Sequence, residues 1–118
     1  MSVSEEEIAF ARDLFSGLGP LTTRKMMGGL CLYCDGVIFA LLYSDGSLWL
    51  KGAGAMQARM QSEGWPRWAY QRAGGKPVAM PYWRLPDSAL DDPDEAVELA
   101  RNSLKYLSYT GIYIAFFK

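Results

Sequence analysis

The sequence predicts an α+β two-layer sandwich, with helices packed on one face of an antiparallel sheet. Three observations predict it. Helical patterns with capping signatures stand near both ends of the chain. Between them the apolar period falls to two, and Asp35-Gly36 and Asp45-Gly46 cut that stretch into hairpin arms. Helices grouped around such a meander give the expected order α-β-β-β-α-β-β-α. The 118 residues read as one domain, with its core at about residues 4–107 and an apolar tail at 108–118.

The first element is the helix in SEEEIAFARDLFSGLGP. Ser4 and Glu7 have capping-box spacing, and three glutamates sit where the helix dipole favours negative charge. Ile8, Ala11, Phe15 and Leu18 recur at helical spacing with Leu14 beside them, and Gly17, Gly19 and Pro20 stop the helix.

Residues 24–51 then alternate as three β runs. Taking each Asp-Gly as a two-residue turn pairs Cys34 with Val37, Leu32 with Phe39 and Leu30 with Leu41. It also pairs Tyr43 with Leu48 and Leu41 with Leu50. One face of the sheet is then Leu30, Leu32, Phe39, Leu41, Leu48 and Leu50, a core. The other carries Cys31, Tyr33, Ile38, Ala40, Leu42, Trp49 and Lys51. That second face is more apolar than open solvent requires, which makes Tyr33, Ile38, Leu42, Trp49 and Lys51 a candidate interaction surface, covered by the tail or by a second copy.

After Lys51 a short helix places Met56 and Met60 one turn apart and ends at Gly64. Two strands follow around Gly74-Gly75. Pro77 and Pro81 lack a ladder donor, so the second of these strands is expected at an edge or interrupted. The last helix has Asp92 as its cap, Pro93 at its first position and Glu95 closing the box, with Val97, Ala100, Leu104 and Leu107 as its stripe. Gly111 reads as its stop, and the apolar tail as β-prone.

Charge and composition narrow the function classes. The net charge of −1 hides four acids against one base in residues 1–23, eight bases against three acids in 24–84, and six acids against three bases in 85–118. A mildly basic middle permits contact with anions without demanding it. No apolar run approaches the ~18–20 residues of a membrane span. The N-terminus lacks the basic start of a signal peptide, so a cytoplasmic location without membrane contact is expected. The chain has no histidine, which removes the commonest general base, metal ligand and pH switch. No Gly-rich phosphate loop is present either. An enzyme is the least expected class, and no cofactor is expected.

Cys31 and Cys34 have the C-x-x-C spacing of redox and metal sites. On a strand, however, residues three apart point to opposite faces and lie roughly 10 Å apart. A disulfide needs its Cα atoms within about 7 Å. Structural zinc wants about four cysteine or histidine ligands, and only two are available. The pair therefore reads as ordinary strand residues, with no disulfide and no metal.

Two clusters are candidate contacts for anions or nucleic acid. Arg24 and Lys25 precede Gly28-Gly29, either an anion-binding concavity or, the reading favoured, a bulged strand entrance. In residues 65–84, Trp65, Trp68, Tyr70, Tyr82 and Trp83 interleave with Arg67, Arg72, Lys76 and Arg84, with no acid among them. Core packing ranks first for this segment, a protein interface second, and stacking against single-stranded nucleic acid third.

These residues carry a family resemblance. TRKMMGGLCLYCDGVIFALLYSDGSLWLKGAG and WAYQRAGGKPVAMPYWRLPDSALDDPDEAVELA resemble the N-terminal domain of the TfoX/Sxy family. That family's pattern is approximately R-x-M-F-G-G-x-G-L-Y-x-D-G-x-x-F-A, then L-Y-L-K, F-x-Y and M-x-Y-x-x-x-P. Arg24, Met26, Gly28, Gly29, Leu32, Tyr33, Asp35, Gly36, Phe39 and Ala40 match its first block; Leu48, Leu50, Lys51, Tyr70, Met80, Tyr82 and Pro86 match the rest. Met27, Cys31, Trp49 and Trp68 depart from it. The resemblance spans about residues 4–105 and implies a fold similar to the secretion-chaperone-like sandwich. It also implies a role like that of regulators of DNA-uptake competence, which act with the catabolite receptor protein at certain promoters. Full-length members carry a further helical domain resembling DNA-binding modules, and no such domain is expected within these 118 residues. The resemblance thus implies a non-enzymatic regulatory domain with a protein partner, a second copy included, and DNA contact through a transcription factor.

Overall fold

A computed structural model describes residues 2–26, 28–71 and 74–114, with the side chains of 70, 71 and 108–114 outside that description. Its elements are α1 (Glu5–Leu14) with a 3-10 turn (Ser16–Leu18), β1 (Leu21–Met26), β2 (Gly29–Cys34), β3 (Val37–Leu42) and β4 (Leu48–Lys51). Then come α2 (Gly54–Ser62), β5 (Arg67–Gln71), β6 (Pro77–Arg84), α3 (Asp87–Leu90) and α4 (Pro93–Ile114). The six strands form one antiparallel sheet in the order β1-β2-β3-β4-β6-β5, with helices beside it: an α+β fold.

Local chemistry sets the ends of α1 and α4. Ser4 Oγ accepts from the Glu7 N–H at 3.1 Å, and Glu7 Oε1 accepts from the Ser4 N–H at 2.8 Å, a complete capping box. Asp92 Oδ1 accepts from the N–H groups of Asp94 and Glu95 at the start of α4. The Glu95 carboxylate turns to Ser88 Oγ, 2.9 Å away. Past Leu107 the helix continues through Gly111 to Ile114, where a stop was expected. Glycine inside a helix costs only about 1 kcal/mol relative to alanine, and no proline interrupts this stretch.

The sheet departs from the sequence expectation in three places. β1 is an additional strand, so four strands precede α2 rather than three. Gly28 (φ 80°) lies in the turn that sets Met26 opposite Gly29, so the glycine pair is a hairpin corner and not a bulged entrance. A Cβ on Gly29 would stand 2.4 Å from the Leu42 carbonyl oxygen, which explains the bare backbone there. Finally, β6 lies inside the sheet. Its end pairs with β4 through Tyr82, Trp83 and Arg84, while Pro77 lies on the part that pairs with β5. Pro81 sits opposite a register shift, so neither proline removes a bond from a regular ladder.

Two irregularities decide which residues face the helices. Asp35 (φ 52°) and Gly36 (φ 79°) make the expected tight turn, with Cys34 opposite Val37. Beyond it the register shifts. Tyr33 faces Ile38 but Leu32 faces Ala40, so Phe39 is an extra residue and both Phe39 and Ala40 turn to the helices. Asp45-Gly46 belongs to a three-residue loop closed by the Tyr43 N–H to Ser47 carbonyl bond at 2.8 Å, with Gly46 at φ 90°. Leu42 therefore pairs with Leu48, and Leu41 with Trp49. The result corrects the expected faces: Leu42 is core and Leu41 faces outward.

The main core lies between sheet and helices, where Leu32, Phe39, Leu50 and Trp83 are shielded from solvent by α1, α2 and α4. Phe15 meets Phe39 edge-to-face at 5.2 Å. Ser103 on α4 is fully buried, and its hydroxyl has no hydrogen-bond partner among the described residues. Among the described residues no helix is long and apolar enough to cross a membrane.

Candidate functional site

The outer face of the sheet carries a second, smaller cluster. Cys31 on β2, Ile38 and Leu41 on β3 and Tyr82 on β6 are buried there, with Tyr33, Trp49, Trp68 and Met80 half-buried around them. Strand alternation brings them to one side, since Leu41, Trp49 and Arg84 lie in one cross-strand row and Lys51 and Tyr82 in the next. Every one of these residues is a strand residue, so aromatic rings cover this face where helices cover the other.

The rings pack in a chain. Trp68 meets Tyr43 edge-to-face at 5.7 Å and Tyr82 at 6.2 Å. Lys51, 7 % exposed, holds its ammonium 5.8 Å from the Tyr82 ring centroid, its stem buried in the sheet. Trp49 is oriented by a relay: its Nε1 donates to Ser47 Oγ at 2.8 Å, and that hydroxyl donates to Asp45 Oδ1 at 2.6 Å. The bonds from Ser47 hold the Asp45 carboxyl below its ordinary pKa. Burial, then the neighbouring Cys31, pushes the phenols of Tyr33 and Tyr82 upward, so both stay protonated at neutral pH.

Four of the five predicted surface residues, Tyr33, Ile38, Trp49 and Lys51, share this outer face. Leu42 does not, because the extra residue Phe39 inverts the alternation beyond it. Sequence reasoning missed the ring chain through Tyr43, Trp68 and Tyr82. Its signal is the alternation in residues 65–84, which sends Trp68 and Tyr82 outward while Trp65 and Trp83 join the main core.

The predicted cationic contacts do not converge. Arg24 stands opposite Cys31 on the outer face, and Lys25 opposite Leu30 on the helix face. Arg67 stacks 4.6 Å over the Trp83 ring and donates through Nε to the Met80 carbonyl oxygen, a packing role. Lys76 is exposed beside the β5–β6 turn, Arg84 is exposed beside Trp49, and Arg72 lies outside the described residues. Arg24 and Arg67 belong to opposite edge strands, about 24 Å apart at ~4.8 Å per strand. The bend at Gly28-Gly29 borders a depression of about 210 Å³ reached by Lys25, while Arg24 is on the other side of the sheet.

Among the described residues Cys31 and Cys34 form no disulfide, one lying in the outer cluster and the other against the main core. Burial, then Asp35, pushes the Cys34 thiol up in pKa, which keeps it protonated and a poor nucleophile. Among the described residues no three His, Cys, Asp or Glu side chains are grouped to hold a metal ion.

Comparison with known proteins completes the description. The family model for the TfoX N-terminal domain matches residues 13–107, and no curated protein matches the chain. The match runs from within α1 to the middle of α4 and so includes all six strands. Most of the fold, and the whole of both sheet faces, thus lie inside one domain family, and the chain belongs to the TfoX N-terminal domain family.

Proposed function

We propose that this protein is a non-enzymatic regulatory domain that acts by docking a protein partner on the outer sheet face. The observation that carries the reading is the set of half-buried Tyr33, Trp49, Trp68 and Met80 around the outer cluster, on the face to which, among the described residues, no helix residue contributes. Tryptophan, tyrosine, methionine and arginine are the residues enriched at interfaces, and exposed Arg24 and Arg84 lie on the same face, opposite Cys31 and Trp49. The family is in general a non-catalytic one, in keeping with this reading. Its resemblance to competence regulators makes a transcription factor the first partner to test, with the domain acting in the cytoplasm. A second copy of the chain is the other natural occupant.

The experiment is a capture assay with the wild-type chain and a Trp49→Ser/Trp68→Ser variant, run beside light scattering after size exclusion. Specific capture of a regulator, or concentration-dependent dimerisation, should be lost in the variant while its circular dichroism is retained. A wild-type chain that stays monomeric and captures the same proteins as the variant would falsify the proposal. Nucleic-acid binding is the second reading, favoured by exposed Arg24 and Arg84 on the same sheet face as the half-buried aromatic rings. It predicts a fluorescence change with short single-stranded DNA that weakens as salt rises.

A further inference from the structure

Among the described residues the strand β1 is an open sheet edge, and the direction of each of its backbone groups can be identified. The Asp35-Gly36 turn bonds the Cys34 carbonyl toward β3, so the backbone groups of Cys34 face away from β1. Leu21 lies opposite Cys34, so its own N–H and C=O point outward, and alternation gives Thr23 and Lys25 the same direction. Arg12 bears this out by reaching from α1 to donate to the Leu21 carbonyl oxygen at 3.4 Å and to Thr23 Oγ1 at 3.3 Å. Among the described residues nothing meets the outward groups of Thr23 and Lys25.

The other edge differs. β5 is preceded by Pro66 and carries a register shift between Arg67 and Ala69, devices that discourage strand addition. β1 has six residues in unbroken register, no proline and no bulge. Among the described residues its guard is charge: Arg24 on the outer side, and Lys25 and Arg12 on the helix side. Three cations repel a second copy of the same edge and attract a strand carrying acids.

We propose that β1 receives an extended acidic segment of another protein as a seventh strand. Main-chain bonds to Thr23 and Lys25 would hold it. Adjacent acidic residues on the added strand point to opposite faces, so one meets Arg24 and the other meets Lys25 and Arg12. The inference stands on this edge and does not depend on the outer aromatic face.

The test uses the full chain, labelled with ¹⁵N, and two capped octapeptides, STVEEVTS and STVQQVTS. The acidic peptide should shift the Thr23 and Lys25 amide resonances and slow their hydrogen exchange. The glutamine peptide should bind roughly two- to thirty-fold more weakly at low salt, a gap that closes as salt rises. Thr23→Pro, which removes an outward donor and no ladder bond, should abolish binding. Because that variant could misfold, Arg24→Glu/Lys25→Glu serves as a second probe and should reverse the preference between the peptides. Equal affinity for both peptides, or no shift at Thr23 and Lys25 with millimolar acidic peptide, overturns the proposal. So does protection of those amides that rises with protein concentration alone, since that assigns the edge to a second copy.

Discussion

The two faces of this sheet are built from the same strands yet are covered in different ways. On the helix face, the end of α1 with α2 and α4 brings Phe15, Met60 and Leu107 into one buried cluster with Leu32, Phe39 and Leu50. On the outer face the strands cover themselves, with Trp68 lying between Tyr43 and Tyr82 and, among the described residues, Cys31, Ile38, Leu41, Lys51 and Tyr82 buried. Burial by a second layer fixes side chains from above. Burial by neighbouring rings leaves edges and flanks in contact with water. The first arrangement supplies stability, and the second supplies a surface that still has area to lose on binding.

Substitutions can break that contrast. The largest effect is expected from Phe39→Ala, which empties the centre of the helix face and removes the contact with Phe15: about 3–5 kcal/mol by urea unfolding. Trp68→Ala removes a larger side chain from the outer face but should cost only roughly 1–2 kcal/mol, since it is partly rather than fully buried. Equal losses would show that the outer cluster is a second core rather than a docking surface.

The inverted alternation gives a sharper version. Leu42→Ala should cost about 2–5 kcal/mol, and Leu41→Ala less, by the same unfolding measurement. The reverse order would restore the two-residue reading of the Asp45-Gly46 turn. Within the helix layer, Ser103→Ala removes a buried hydroxyl without a partner and should raise stability by about 1 kcal/mol, read as a higher melting temperature.

The smallest effect concerns the outer face and pH. Asp45 has its pKa lowered on folding, so its carboxylate contributes stability that is present above the unfolded value of about 3.9. That contribution is lost as pH falls through the lower folded value. Wild type should therefore exceed Asp45→Asn slightly in stability at neutral pH, and the gap should narrow on acidification. Trp49 fluorescence should follow the same change, because the Ser47 hydroxyl links the indole to this carboxylate.

Much of this was legible in the residue order, and the reasons for the rest are specific. Ser4 with Glu7, Asp92 before Pro93, and Asp35-Gly36 act within four residues, so their consequences can be read locally. β1 was not legible as a separate strand because LTTRKM has no apolar alternation, being an edge with little to bury. α3 is one short turn of helix and has no amphipathic period to detect. The cationic candidates were close in sequence, but alternation and strand order carried them to different faces and edges.

By itself, then, the chain's sequence determined the caps, the tight turn after Cys34, the α+β class and the separation of the two thiols. These follow from backbone preferences and side-chain period over a few residues. The strand order, the interior place of β6 and the assignment of Leu41 and Leu42 to their faces were settled by packing. One extra residue in β3 and one in the following loop have almost no local signature, yet each shifts the alternation of everything beyond it. What selects them is the helix layer, which accepts Phe39, Ala40 and Leu42 and leaves Leu41, Trp49 and Trp68 on the outer face.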